Sequence, residues 1–164
     1  MFTPKSMLRH PDALSPLEDL THQNFLPVIP DMEAQDAQRI LLCTGKIGHE
    51  LRTERQKRKD NDNDKGNLLS TAIVFLEQMY PFPEAELTAE LQRHSTARDI
   101  VWVQEEPANM GALSYMLPRL KYITDDRPVH SVKRSASASP ATGSAKAHEV
   151  EQKTLLSLAF TKLD

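Results

Sequence analysis

Glycine is scarce: the 164 residues hold only five, Gly45, Gly48, Gly66, Gly111 and Gly143. Their spacing excludes a dinucleotide-binding G-x-G-x-x-G turn and a P-loop, which need glycine where backbone closely approaches phosphate. Cysteine is nearly absent. Cys43 stands alone and cannot form an internal disulfide, which fits a reducing compartment. No run of 18 apolar residues exists to span a membrane, and Met1 to His10 lacks the apolar core of a signal peptide. Twenty cationic and 23 anionic side chains leave a net charge of −3, so there is no basic field for nucleic acid. The histidines (His10, His22, His49, His94, His130, His148) show no paired metal spacing, and no Cys/His cluster suggests zinc.

What is present reads as alternating strands and helices. Residues 1–37 are punctuated by Pro4, Pro11, Pro16, Pro27 and Pro30, and read as an extended arm with a short helix around Leu17 to Leu20. From Arg39 the texture changes, and the apolar run Ile40 to Cys43 predicts a buried strand that ends at Thr44-Gly45. A charged helix follows from His49 to Lys59, then a polar loop from Asp60 to Asn67. Thr71 to Leu76 predicts a second strand, closed by Tyr80-Pro81-Phe82-Pro83. The next helix starts near Pro83, with Glu84 and Glu86 at its positive end and Leu87 and Leu91 on its buried stripe. The third strand, Asp99 to Gln104, is apolar on both faces, as a covered parallel strand requires. Glu105 to Asn109 reads as a loop, and Gly111 to Ile123 as a helix that Pro118 bends or interrupts. A fourth strand from Val129 to Lys133, a Ser/Ala/Pro-rich loop from Arg134 to Ser144 and a helix from Lys146 to Leu163 complete the pattern. The expected fold is α/β, a mostly parallel sheet with flanking helices.

Ligands of such sheets bind at the carboxyl ends of the strands. Thr44-Gly45-Lys46, Glu105-Glu106-Pro107 and the 134–144 loop all follow predicted strands, so they are expected to converge on one edge. Glu105 and Glu106, with Gln104 before them, suit an acid–base role or a clamp on a ligand or neighbouring subunit; the plain alternative is a solvated loop or an ion pair. Lys46 at a strand-to-helix junction suits a phosphate, though a tight turn there explains the glycine equally well. Lys133-Arg134 and the hydroxyls up to Ser144 combine cations, donors and a helix start, which fits an anion site and fits a flexible linker as well. Cys43 reads as a small core residue.

Five stretches occur in order along the chain. They are Thr3-Pro4-Lys5-Ser6-Met7-Leu8-Arg9-His10-Pro11, Leu42-Cys43-Thr44-Gly45-Lys46 and Glu77-Gln78-Met79-Tyr80-Pro81-Phe82-Pro83. Next come Trp102-Val103-Gln104-Glu105-Glu106-Pro107-Ala108-Asn109-Met110-Gly111 and, lastly, Ser137-Ala138-Ser139-Pro140-Ala141-Thr142-Gly143-Ser144 with His148, Glu151 and Gln152 after it. Together they resemble the C-terminal region of the thiamine-dependent first component of 2-oxoglutarate dehydrogenase and its dehydrogenase–transketolase-domain relatives.

The resemblance implies a fold like the C-terminal domain of transketolase. It implies an arm (1–37) running from a preceding domain into a C-terminal α/β domain (38–164). The family uses thiamine diphosphate and magnesium to decarboxylate 2-oxoglutarate in the citric acid cycle, then passes the succinyl group to the dihydrolipoyl succinyltransferase component. The cofactor sites lie mostly in preceding domains, so no cofactor is expected in this chain. The chain lacks the Gly-Asp-Gly run that usually opens a thiamine diphosphate–metal motif. Its expected role is to support a homodimer with the remaining dehydrogenase domains, in a bacterial cytoplasm or a mitochondrial matrix. In some bacterial relatives this domain is an allosteric site for acetyl-coenzyme A. That draws attention to Lys5, Arg9, Lys46, Lys133, Arg134 and Ser144 as ligand-binding residues, and to Gln104, Glu105 and Glu106 as interface or loop residues. Where the family usually has two aromatics after Gly45-Lys46, Gly48 and His49 stand here, and Leu113 replaces an aromatic after Ala112. The competing expectation is a free-standing, non-catalytic module that binds an anion or a partner.

Overall fold

A computed structural model describes residues 4–22, 24–61, 70–124 and 126–161. Four strands lie parallel in it: β2 (Arg39–Cys43), β3 (Thr71–Leu76), β4 (Asp99–Pro107) and β5 (Val129–Arg134). A short strand β1 (Val28–Ile29) pairs antiparallel with β3, giving the order β1-β3-β2-β4-β5. The segment read as irregular thus adds an edge strand, because the Pro27 carbonyl accepts from Glu77 and Gln78 and aligns Val28 with Leu76. The same segment carries α1 (Leu17–His22) where a short helix was expected.

Helices cover both faces. On one side lie α2 (Lys46–Asp60) and α5 (Ala145–Phe160); on the other lie α3 (Glu84–Arg93) and α4 (Leu113–Ile123). The alternation of the strands decides which residues meet which helices. Leu41, Cys43, Ile73, Phe75, Val101, Val103 and Val132 pack with Ile47, Leu51 and Leu155. Ile40, Leu42, Val74, Ile100 and Trp102 pack with Leu87, Leu91, Met116 and Leu120. Burying one such side chain contributes roughly 1.5–3 kcal/mol before entropy is counted. Cys43 is a buried core residue, and burial pushes its thiol pKa far up.

Several boundaries differ from expectation, three of them at the candidate site. Helix α2 begins at Lys46 rather than His49, because Gly45 at φ 65° turns the chain directly from β2 into the helix. Gly48 then sits within the first turn, where a Cβ would lie 2.3 Å from two Phe75 ring atoms and 2.9 Å from the Cys43 sulfur. The space an aromatic residue would need is filled here by Phe75. Strand β4 runs past Gln104 to Pro107, so Glu105 and Glu106 stand in strand rather than loop; pairing resumes beyond an irregularity between Val103 and Pro107, and Ala108 donates to the Arg134 carbonyl. By the same pairing Arg134 belongs to β5 rather than to the loop after it. Pro118 lies inside α4 without ending it. Ser114, whose carbonyl loses the usual partner, is exposed to water on the same side. Most of the predicted 60–67 loop lies outside the described residues.

A buried cluster fastens the arm. Asp31 accepts from the Ile73 amide at 2.7 Å and pairs with Arg55, which also donates to the Thr71 carbonyl and to Glu33 at 3.0 Å. Burial works against ionising Asp31, but Arg55 and the amides outweigh it and hold its pKa below the ordinary value. From α3, Glu90 accepts from the Asp31 amide and His94 Nδ1 accepts from the Ala37 amide at 3.1 Å.

Candidate functional site at the carboxyl edge of the sheet

The sheet order places β2 beside both β3 and β4, so the connections leave β2 and β4 toward opposite faces. The crevice between the carboxyl ends of those two strands is the switch point where open α/β sheets bind ligands. Lys46, at the first position of α2, reaches across it to Glu105 of β4 at 2.7 Å and also pairs with Glu50 one turn on. Gln152 of α5 donates to Glu105 at 2.9 Å and to Glu50. One ammonium and one amide thus bridge two carboxylates, tying α2, β4 and α5 together. Burial alone would lower the Lys46 pKa, but Glu105 and Glu50 outweigh it and raise it. The expected convergence of the segments after β2 and β4 is present. Lys46, however, has two carboxylates on it, so it offers an incoming anion no unpaired charge.

Gln104 and Glu106 belong to the other side of β4. Gln104 is buried; its oxygen accepts from the Trp102 indole at 3.0 Å, and its amide donates to the carbonyls of Glu106, Pro107 and Met110 at 3.2, 3.2 and 2.9 Å. It clamps the turn that leads into α4, where Gly111 takes φ 68°. Glu106, Thr44, Met79, Tyr80, Trp102 and Tyr115 line a shallow, mainly apolar cleft of about 450 Å³ there.

The 134–144 loop folds over α5. Arg134 donates to the Glu105 carbonyl, to Thr142 at 3.1 Å, to Glu151 at 3.2 Å and to the Pro140 carbonyl at 3.0 Å. Thr142 in turn donates to Glu151. That hydroxyl, against a small burial penalty, and the Arg134 guanidinium hold the Glu151 pKa below the ordinary value. Asn109 and Ser137 exchange a reciprocal pair of bonds at 3.0 and 3.1 Å. The segment is therefore internally bonded rather than a loose linker. Beneath it a cleft of about 590 Å³ is lined by Arg134, Ser135, Ser137, Ser139, Thr142 and Val150, among others.

Ser144 lies at the N-terminus of α5, where its hydroxyl accepts from the Ala147 amide at 3.4 Å. Lys133 also lines the cleft beneath the 134–144 loop, but its side chain leaves β5 on the opposite face from that of Arg134. Val132 packs on the α5 side and Val129 on the α4 side, so alternation sends Lys133 to the latter, where its ammonium bonds the Ser131 hydroxyl at 2.8 Å and carbonyl at 3.3 Å. Lys5 and Arg9 are exposed on the N-terminal segment and line neither cleft. The edge thus brings Lys46, Glu105 and Arg134 together, with Lys133 on the lining of the cleft beside Arg134, and leaves Lys5 and Arg9 apart. Glu50 and Gln152, the other half of the cluster, were missed as site residues. The spacing of Lys46 and Glu50 at i, i+4 was their signal once the helix start is moved to Lys46. Among the described residues no group of three carboxylate, histidine or cysteine side chains is placed to hold a metal ion, and no helix is long and apolar enough to cross a membrane.

Residues 14–160 match the family described as 2-oxoglutarate dehydrogenase C-terminal. The 2-oxoglutarate dehydrogenase E1 component of Cupriavidus necator is 42% identical over 99% of the chain, and that of an Exiguobacterium strain is 38% identical over 99%. A Xenopus laevis protein named 2-oxoglutarate dehydrogenase-like, mitochondrial, is 41% identical over 98%. The chain spans about 17% of the length of the two bacterial relatives and 16% of the frog protein. By sequence match, the chain belongs to the 2-oxoglutarate dehydrogenase C-terminal family.

Proposed function

We propose that this domain is a non-catalytic, assembly-supporting part of a thiamine diphosphate- and magnesium-dependent 2-oxoglutarate dehydrogenase. The enzyme decarboxylates 2-oxoglutarate and delivers the succinyl group to the dihydrolipoyl succinyltransferase component, in a bacterial cytoplasm or mitochondrial matrix. The observation that carries this reading is the closed charge cluster at the switch point. Lys46, Glu50, Glu105 and Gln152 satisfy one another, which suits a staple and leaves no base aimed at a nucleophile. The chain spans about 17% of its bacterial relatives, and the family resemblance puts the cofactor and the reacting atoms mostly in the remaining domains.

Exposed apolar residues on the N-terminal segment (Leu8, Leu14, Leu17, Leu20, Phe25, Met32) suit a surface covered by those domains or by the second subunit of a homodimer. The purified chain, given 2-oxoglutarate with thiamine diphosphate and magnesium, should release no carbon dioxide; release would overturn this reading.

One observation favours an added regulatory role. The cleft beneath the 134–144 loop joins Arg134 to several hydroxyls and an apolar wall, a combination that fits the phosphates and chain of acetyl-coenzyme A once the ligand displaces Glu151, a single and partly exposed carboxylate, from Arg134. Saturable heat on titration with acetyl-coenzyme A, absent with thiamine diphosphate plus magnesium, is the expected result. Binding lost in Arg134→Ala but kept in Lys5→Ala would assign it to this cleft. Absence of binding would leave assembly as the whole role, and a stable monodisperse chain that binds the anion would favour a free-standing module.

A further inference from the structure

Strand β5 is the outer strand of the sheet, bonded to β4 on one side only. Its backbone polarity follows from two bonds: the carbonyls of Pro128 and Arg134 accept from Ile100 and Ala108, so even-numbered backbone groups face β4. The odd-numbered residues Val129, Ser131 and Lys133 therefore turn their N–H and C=O groups outward. Such a row is a template for another strand. One outward group has a partner. The Lys133 ammonium folds back over its own strand and takes the Ser131 carbonyl at 3.3 Å and hydroxyl at 2.8 Å.

The geometry points to a latent strand-pairing surface for a second copy of this chain, which Lys133 holds shut. A two-fold axis through Ser131 would lay β5 antiparallel to its copy. Ser131 would then face Ser131, with both its N–H and its C=O directed at the partner, the doubly bonded pairing of an antiparallel ladder. In that register Val129 faces Lys133, His130 faces Val132 and Pro128 faces Arg134, so no cation lies opposite a cation. The charge pattern thus accepts a second copy, and what prevents it is the ammonium on the central carbonyl. An incoming strand competes with Lys133 for the Ser131 carbonyl and bonds it fully when the ammonium swings away. Lysine on an edge strand is a known way of keeping edges single. Here the guarded atom is identified.

Sedimentation velocity over a range of concentrations tests this on the full chain. Lys133→Ala should form β5-paired assemblies, doubling whatever state the unaltered chain adopts, with association tightened by about tenfold or more. Adding Ser131→Pro removes only an outward N–H, costs no bond to β4 and should return the chain to its original state. If Lys133→Ala does not fold, Lys133→Met keeps the stem and loses the ammonium, and it carries the same expectation. Sedimentation unchanged in the lysine variant, or association that survives Ser131→Pro, overturns the inference.

Discussion

The two ends of this sheet are fastened by different means, though the same three elements meet at both. At the amino end, Arg39 of β2 grips Asp99 of β4 with two bonds, at 2.9 and 2.5 Å, and donates to the Ala159 and Thr161 carbonyls at the end of α5. The Arg39 side chain is 1% exposed and that of Asp99 12%. At the carboxyl end, Lys46, Glu105 and Gln152 join β2's exit, β4 and α5 again, but Lys46 is 19% exposed, Glu105 25% and Glu50 29%. The first cluster matches one cation to one carboxylate and adds the negative end of a helix. The second sets one cation against two carboxylates. Burial and geometry make the amino end a permanent lock, whereas the carboxyl end carries surplus negative charge within reach of water. That is the end where sheets of this order place their ligand sites.

The largest expected effect breaks the lock. Arg39→Ala strands the buried Asp99 carboxylate and should cost about 3–5 kcal/mol in urea unfolding. Replacing both partners, Arg39→Met with Asp99→Leu, should cost less than either single change, and equal costs would mean that the pair is not the source. Next, Gly48→Ala forces a Cβ into the Phe75 ring and should cost about 1–3 kcal/mol, partly recovered by Phe75→Leu. An unchanged melting temperature would show that α2 shifts freely. Glu105→Gln at the carboxyl end should cost only about 0–1 kcal/mol, as a pair within reach of water does.

Two pH effects sharpen the contrast. The raised Lys46 pKa contributes stability that is present below the ordinary lysine value of about 10.4 and is lost as pH rises through the folded value. Glu105→Gln should therefore flatten the alkaline decline in melting temperature. The lowered Asp31 pKa acts in the other direction: its contribution is present above about pH 4 and is lost as pH falls through the folded value. Asp31→Asn should remove that acid decline, and a decline that persists unchanged would assign it to other carboxylates.

Much of this was legible in the sequence, for reasons that differ by region. Ile40 to Cys43, Thr71 to Leu76 and Ile100 to Val103 are so continuously apolar that only strands covered on both faces accommodate them. Lys46 and Glu105 were each read as following a strand, and parallel order alone brings such residues to one edge. The grip of Arg39 on Asp99 was not legible, because partners 60 residues apart leave no local periodicity. Nor was β1, whose two residues pair only because Pro27 is held by Glu77 and Gln78. The separation of Lys133 from Arg134 follows from alternation along β5 and was masked by reading Arg134 as loop.

The lock at the amino end also has a consequence in time. Arg39 is synthesised well before its partners, because its bonds to Ala159 and Thr161 span 120 and 122 residues. At about 5–20 residues per second, a ribosome takes roughly 6–24 s to supply them. Until α5 emerges, the guanidinium has Asp99 at best, and β4 and β5 lack the helix that covers Val101, Val103 and Val132. The nascent sheet therefore waits with one apolar face partly bare, and closure comes as a late, long-range step. Contacts of such sequence separation make folding slow.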